Sequence, residues 1–185
     1  SKIVYNSKIE YVDVIRSDLR WKIKKSLKHD LENDYFKQPL RRGKYILIPT
    51  IKDNIFLIHL GMSGQIKIRD NFESIFKHDH VRVTIKSEND KRYFITYNDP
   101  RRFGYIDLFH KKEINEHFLL KKLGVEPFEK NFNVGYLQKI FDKKIKCIKD
   151  TLMDQSVIAG IGNIYASEIL FKAKVNPYRL SLIHI

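Results

Sequence analysis

Arg92-Tyr93-Phe94-Ile95-Thr96-Tyr97 runs directly into Asn98-Asp99-Pro100-Arg101-Arg102-Phe103-Gly104, and Ile106 and Leu108 follow at once. In the first part Tyr93, Ile95 and Tyr97 alternate with Arg92, Phe94 and Thr96, the two-residue period of a strand. In the second part Pro100 disfavours the α region at Asp99, and Gly104 releases the chain again. The stretch reads as strand, stiff turn, strand. Its turn displays two guanidinium groups and one aromatic ring that a helix would spread apart. Arginine can fork onto a phosphate or a base edge, and a phenylalanine beside it can enter a base stack. A solvated surface loop is the other reading of the same residues.

Similar short runs lie upstream. Ile9 to Ile15 mixes Val, Ile and Tyr with polar residues, and Tyr45–Ile48 and Ile55–Leu60 are apolar runs bounded by turn residues. Gln65–Arg69 alternates, as do Val81, Val83 and Ile85 with Arg82, Thr84 and Lys86. Many short strands without long helices between them predict an antiparallel sandwich or barrel. Weaker patterns at Asp18–Leu27 and Ile114–Leu123 predict helices. Past Pro127 the character changes. Asn133 is placed to cap a helix over Val134–Phe141. A second helix covers Ile148–Met153, and a third starts at Asn163 with Ala166, Ile169, Leu170 and Ala173 on one face. The expected fold class is α+β: an antiparallel β-sandwich over residues 1–127, a helical part over 128–180, and an unassigned tail at 181–185.

The 185 residues carry a formal net charge of +13, which draws a globular protein toward a polyanion, most often nucleic acid. The charge is no detachable tail: residues 1–128 hold 26 Lys and Arg against 17 Asp and Glu, and residues 129–180 hold 9 against 5. The single Cys147 permits no internal disulfide and suits a reducing compartment. No apolar run is long enough to span a membrane, and no secretory leader is visible. A cytoplasmic monomer is the expectation.

Further clusters carry possible chemistry. In Arg41-Arg42-Gly43-Lys44 a lysine crowded by two arginines should lose its proton more readily than a free one and could serve in proton transfer; a phosphate-attracting basic patch is the alternative. In His59-Leu60-Gly61-Met62-Ser63-Gly64 the methionine is either a wedge for a base stack or a core residue near a hairpin turn. Gly160-Ile161-Gly162-Asn163 opens a helix whose N–H groups could face phosphate. It is not a dinucleotide fingerprint, because Tyr165 stands where a third glycine belongs and a helix precedes it. His78-Asp79-His80 would place two histidines on one side of a strand. With one cysteine and no further ligand cluster, structural or phosphate-contacting roles fit better than a metal.

Together these segments resemble the formamidopyrimidine-DNA glycosylases, bifunctional enzymes of bacterial base-excision repair. The matching stretches are Arg41–Tyr45, Ile58–Gly64, Lys77–Val81, Asn98–Gly104, Leu123–Pro127, and Leu152–Asp154 through Ala159–Glu168. They run in family order from about Asn6 to Arg179, and Asn98–Gly104 with Ala159–Glu168 is the most specific pair. The endonuclease VIII branch fits the Met62 and Arg101–Phe103 loops less well. The resemblance implies a β-sandwich domain and a helix-two-turn-helix domain gripping double-stranded DNA that carries oxidised purine lesions. It implies excision of 8-oxoguanine and formamidopyrimidines, then strand cleavage. Met62, Arg101 and Phe103 match the residues that fill the space of a flipped nucleotide, with Arg101 on the orphaned cytosine. Arg102 and Asn163 match phosphate contacts, His78 and Lys144 match further DNA-binding positions, and Lys44 matches the lysine that assists glycosidic cleavage and β-elimination.

Two departures stand beside the resemblance. The family nucleophile is an N-terminal proline followed by an acidic residue, whereas this chain reads Ser1-Lys2-Ile3. The family also carries a structural zinc on four cysteines, for which Cys147 is no substitute, so no cofactor is expected on these residues. The expectation is a fragment truncated at both ends and inactive by itself.

Overall fold

The computed structural model describes residues 2–142 and 145–180. It divides into two compact units, one comprising Ser1–Arg41 and Tyr45–Ile114, the other Arg42–Lys44 and Asn115–Ile185. The elements in chain order are β1 (Lys8–Val14), α1 (Leu27–Leu31), β2 (Leu40–Arg42), β3 (Tyr45–Pro49), β4 (Asn54–His59), β5 (Gln65–Arg69), β6 (Asp79–Lys86), β7 (Arg92–Asn98), β8 (Tyr105–His110), α2 (Val134–Phe141), α3 (Ile148–Met153) and α4 (Asn163–Ala173).

The strands form two four-stranded sheets, ordered β1-β6-β7-β5 and β2-β3-β4-β8. Alternation sets the register. Val83 of the central β6 stands opposite Val12 on one side and Ile95 on the other, and in the second sheet Ile58 stands opposite Ile106. These residues, with Ile9, Val81, Ile85, Tyr97, Ile48, Phe56 and Leu108, form one buried cluster. Phe36 stacks on Phe56 within it at 6.0 Å between ring centroids. The strands expected from the sequence are all present; β2, a three-residue edge strand, is additional.

The two weaker helices are not formed. Asp18–Lys24 runs as bends and irregular chain, a turn follows at Lys25–Ser26, and only Leu27–Leu31 is helical. Leu19, Ile23 and Leu27 do have helical spacing, and all three are buried in the sandwich core. Their backbone is pulled elsewhere: the Arg20 N–H donates to the Arg102 carbonyl at 2.8 Å, and the Ile23 N–H reaches back to Ser17. One long-range and one local non-helical hydrogen bond thus override a propensity worth only tenths of a kcal/mol per residue. Ile23→Val is expected to cost about 1 kcal/mol, as for a core methyl lost, despite its loop position; a thermal melt checks it. Ile114–Leu123 forms isolated turns such as Leu120 N–H to His117 O, after a short 3-10 turn at Lys111–Glu113.

In the second unit the sequence expectation holds closely. Asn133 caps α2, its side chain accepting from the Tyr136 N–H at 2.9 Å. Ile148, Leu152, Val157, Ile158, Ile161, Ala166 and Leu170 form the core. The predicted face of α4 is only half used, since Ala166 and Leu170 are buried while Ile169 and Ala173 are exposed. Residues 181–185 and Lys144 lie outside the described residues. No described helix is long and apolar enough to cross a membrane.

Candidate nucleic-acid interface

In the first unit two loops are joined by one buried carboxylate. Asp99 accepts from the Ser63 hydroxyl at 2.6 Å with one oxygen, and from the Gly104 N–H at 2.8 Å and the Tyr97 hydroxyl at 3.3 Å with the other. Ser63 in turn accepts from the Arg101 N–H at 3.2 Å. Burial pushes the Asp99 carboxyl up, but the bonds from Ser63, Gly104, Tyr97 and the Arg102 N–H outweigh it and hold the group below its ordinary value. Burial, then the Asp99 charge, pushes the Tyr97 phenol up, so it remains a donor.

The glycines show why no side chain is tolerated here. Gly61 has φ +61°, and a Cβ there would lie 2.6 Å from the Phe103 carbonyl carbon; a Cβ at Gly104 would collide with the Tyr97 hydroxyl. Gly104 therefore serves close packing. The left-handed conformation in this turn falls on Arg102, at φ +60°, an uncommon state for a non-glycine residue. The consequence is a paired display. Met62 is 74% exposed and Phe103 44%, which rules out the core-methionine reading, and the Arg101 guanidinium lies 4.8 Å from the Phe103 ring centroid.

Behind the turn, His80 is fully buried, its ring nitrogens 3.3 Å from the Arg16 carbonyl and 3.1 Å from the Asp99 carbonyl. The two histidines do not make a matched pair. His78 precedes β6, a register shift falls between Asp79 and Val81, and the strand is buried on both faces from Asp79 to Ile85. Only His78, half-buried, remains partly accessible to a ligand. Among the described residues no three metal-ligating side chains gather. Cys147 is the N-cap of α3, its sulfur accepting from the Asp150 N–H, so the residues present do not fit a four-cysteine zinc site.

In the second unit Arg42 is engaged by backbone carbonyls and carboxylates. Its Nη2 donates to the carbonyls of Leu123 at 3.1 Å and Gly124 at 2.7 Å, and its Nη1 lies 3.5 Å from Glu126. Glu126 also accepts from the Gly43 N–H at 2.6 Å. The Lys44 ammonium is indeed lowered below the usual lysine range, but through displacement of water by its surroundings, not through repulsion by the arginines. It stands at the start of α4, where a Cβ on Gly162 would lie 3.3 Å from Lys44 Nζ and the helix dipole also disfavours a cation. Gln155 braces this loop, donating to the Met153 and Ile161 carbonyls and accepting from the Gly160 N–H. Asn163, exposed, opens the helix after an N-cap glycine that supplies no side-chain cap.

Two sequence profiles match the chain: the formamidopyrimidine-DNA glycosylase N-terminal domain over residues 1–106 and the formamidopyrimidine-DNA glycosylase H2TH domain over residues 123–182. The chain belongs to the formamidopyrimidine-DNA glycosylase family. The formamidopyrimidine-DNA glycosylase of Bartonella henselae is 38% identical over 185 residues, covering 96% of this chain and 64% of its own length. That of Ruthia magnifica is 43% identical over 177 residues, covering 96% and 63%. The chain thus spans a little under two thirds of these relatives. Among solved structures, the Lactococcus lactis glycosylase bound non-covalently to DNA with an abasic site superposes with a TM-score of 0.89 at 28% identity, covering all of this chain and 69% of that one. The same enzyme with a formamidopyrimidine-dG DNA gives 0.89 at 29%.

Against the family background, motif reading places Met62, Arg101 and Phe103 on the two joined loops, and Lys44 and Asn163 near one helix start. It misses the residues that hold them: Asp99 as acceptor, Ser63 as bridge, Tyr97 as donor, Glu126 and Gln155 as braces. Asp99 and Ser63 lie inside the Asn98–Gly104 and Ile58–Gly64 motifs, and their short polar side chains, Asp99 before Pro100 and Ser63 before Gly64, were the available signal.

Proposed function

We propose that this chain recognises damaged double-stranded DNA as part of a bacterial glycosylase and AP lyase that removes oxidised purines, 8-oxoguanine and formamidopyrimidines, in the cytoplasm and as a monomer. The carrying observation is the pair of loops tied through Asp99 and Ser63, which present Met62, Arg101 and Phe103 together at the surface. A duplex whose damaged nucleotide is turned out leaves a gap that Met62 and Phe103 fill, while Arg101 offers donors to the acceptors of the widowed cytosine. Arg102 and Asn163 contact phosphates, and His78 and Lys144 are further DNA-binding positions. In the family reaction a proline amine displaces the base at C1′ and forms a Schiff base, which then eliminates the 3′ phosphate. Lys44 supports proton transfer in these steps, its lowered pKa bringing it nearer the working pH. Binding does not depend on the proline amine, so it is the readout for this chain.

A duplex with a tetrahydrofuran abasic site opposite cytosine is expected to bind at least about tenfold more tightly than the undamaged duplex, because unstacking costs a few kcal/mol that the damaged duplex partly avoids. Affinity for both should fall as salt rises. Fluorescence anisotropy measures both. Equal affinity for the two duplexes at every salt concentration would sink this reading.

A further inference from the structure

Beside the Arg101–Phe103 turn, one carboxylate is held by two guanidinium groups. Arg16 grips Asp18 in a fork, Nε to Oδ1 at 3.1 Å and Nη2 to Oδ2 at 2.8 Å, and Arg102 Nη1 reaches Oδ2 at 2.9 Å. The bonds from Arg16 first and Arg102 second hold the Asp18 carboxyl far below the usual range. Both cations are fixed from behind. Arg16 Nη1 donates to the Lys77 carbonyl at 3.0 Å. The Arg102 backbone is pinned at both ends, its carbonyl accepting from the Arg20 N–H and its N–H donating to Asp99. All three side chains remain open to solvent, at 36% for Arg16, 45% for Asp18 and 53% for Arg102.

A guanidinium fork fits a phosphate as it fits a carboxylate, with two parallel N–H···O bonds. The geometry around Asp18 is therefore that of an anion seat already filled from within the chain. We propose that Arg16 and Arg102 together form a phosphodiester-binding site, and that the Asp18 carboxylate occupies it until a DNA backbone phosphate displaces it. This rests on the DNA-binding function and adds Arg16 as a phosphate ligand and Asp18 as an internal competitor. Displacement is cheap, because an exposed ion pair contributes little and Asp18 regains water on release. The phosphate gains through release of its counterions. His80 Nδ1 lies 3.9 Å from Asp18, so the buried ring backs the seat without filling it.

The test compares Asp18→Asn with Asp70→Asn, which removes an equal charge from another exposed ion pair, that with Lys91 at 2.9 Å. Duplex binding is measured over a salt series. Asp18→Asn is expected to bind about three- to fivefold more tightly than wild type, with a steeper salt dependence by up to about 0.9 in the log–log slope. Asp70→Asn should change affinity less than about twofold. Arg16→Gln should weaken binding and flatten the slope, and in an Arg16→Gln/Arg102→Gln background Asp18→Asn should give no more than Asp70→Asn. Equal effects of Asp18→Asn and Asp70→Asn, or an unchanged slope in Arg16→Gln, overturn the proposal while wild-type binding still upholds the DNA-binding function. A wild-type chain that binds no duplex overturns both.

Discussion

Asp99→Ala is expected to cost about 3 kcal/mol of stability, and to abolish preference for a damaged duplex in whatever fraction remains folded. The change strips an acceptor from the Gly104 N–H, which is buried, and from the Ser63 and Tyr97 hydroxyls. Tyr97 keeps the His59 carbonyl at 3.2 Å, and Ser63 can rotate, so the orphaned backbone N–H dominates the loss. Leaving a buried donor unpaired costs about 1–3 kcal/mol, more when its former partner was charged. Asp99→Asn keeps one acceptor and should fall between wild type and alanine. The pH dependence has a defined sign. The folded carboxyl titrates below its ordinary value of 3.8, so the unfolded chain binds this proton first as pH falls. The contribution of Asp99 is complete above that value and is lost as pH drops through the lower, folded one. Asp99→Asn should therefore lose less stability than wild type across that acid window. Denaturant melts at neutral and acid pH measure both effects; an Asp99→Ala chain as stable as wild type would show that the carboxylate joins nothing.

The sandwich was legible because its strands either alternate, as at Arg92–Tyr97, or run as short apolar stretches bounded by turn residues, as at Ile55–Leu60. The helical part was legible from Asn133 and from the apolar spacing around Ala166 and Leu170. Asp18–Leu27 misled because Leu19, Ile23 and Leu27 satisfy helical spacing while serving as a plug for the sandwich; apolar period records burial, and only the Arg20 and Ile23 hydrogen bonds reveal the path of the backbone. The site divided in the same way. The exposed side chains proposed to meet DNA, Met62, Phe103 and Arg101, stood out by type and setting. The Asp18 seat was silent in the sequence, since an aspartate 84 positions from Arg102 carries no local sign of the pairing. For Lys44 the direction of the shift was readable from its crowded neighbours, but the cause was not: Arg42 is drawn off by Glu126 and two carbonyls, and exclusion of water does the rest.

Met62→Ala and Phe103→Ala together are expected to lower affinity for the abasic duplex by about 10- to 100-fold, with undamaged-duplex affinity within about threefold of wild type. Stacking of one aromatic ring on a base contributes roughly 1–3 kcal/mol, and a methionine wedge adds apolar contact in the same gap. Neither side chain supports the fold: both are exposed, so stability should stay within about 0.5 kcal/mol. Sequence-independent attraction to an undamaged duplex runs through phosphates, and these truncations remove no charge. The two effects should also be coupled. Ser63 bonds both Asp99 and the Arg101 N–H, and Gly61 packs on the Phe103 backbone, so the two loops are joined as one body. A double-mutant cycle is then expected to show an interaction above about 0.5 kcal/mol, beyond what independent sites give. In a Ser63→Ala background that coupling should shrink, although Met62 and Phe103 are both intact in the parent of the cycle. Equal losses on damaged and undamaged duplexes would instead assign these loops to general DNA attraction, and additive losses with Ser63 in place would mean that the two loops act separately.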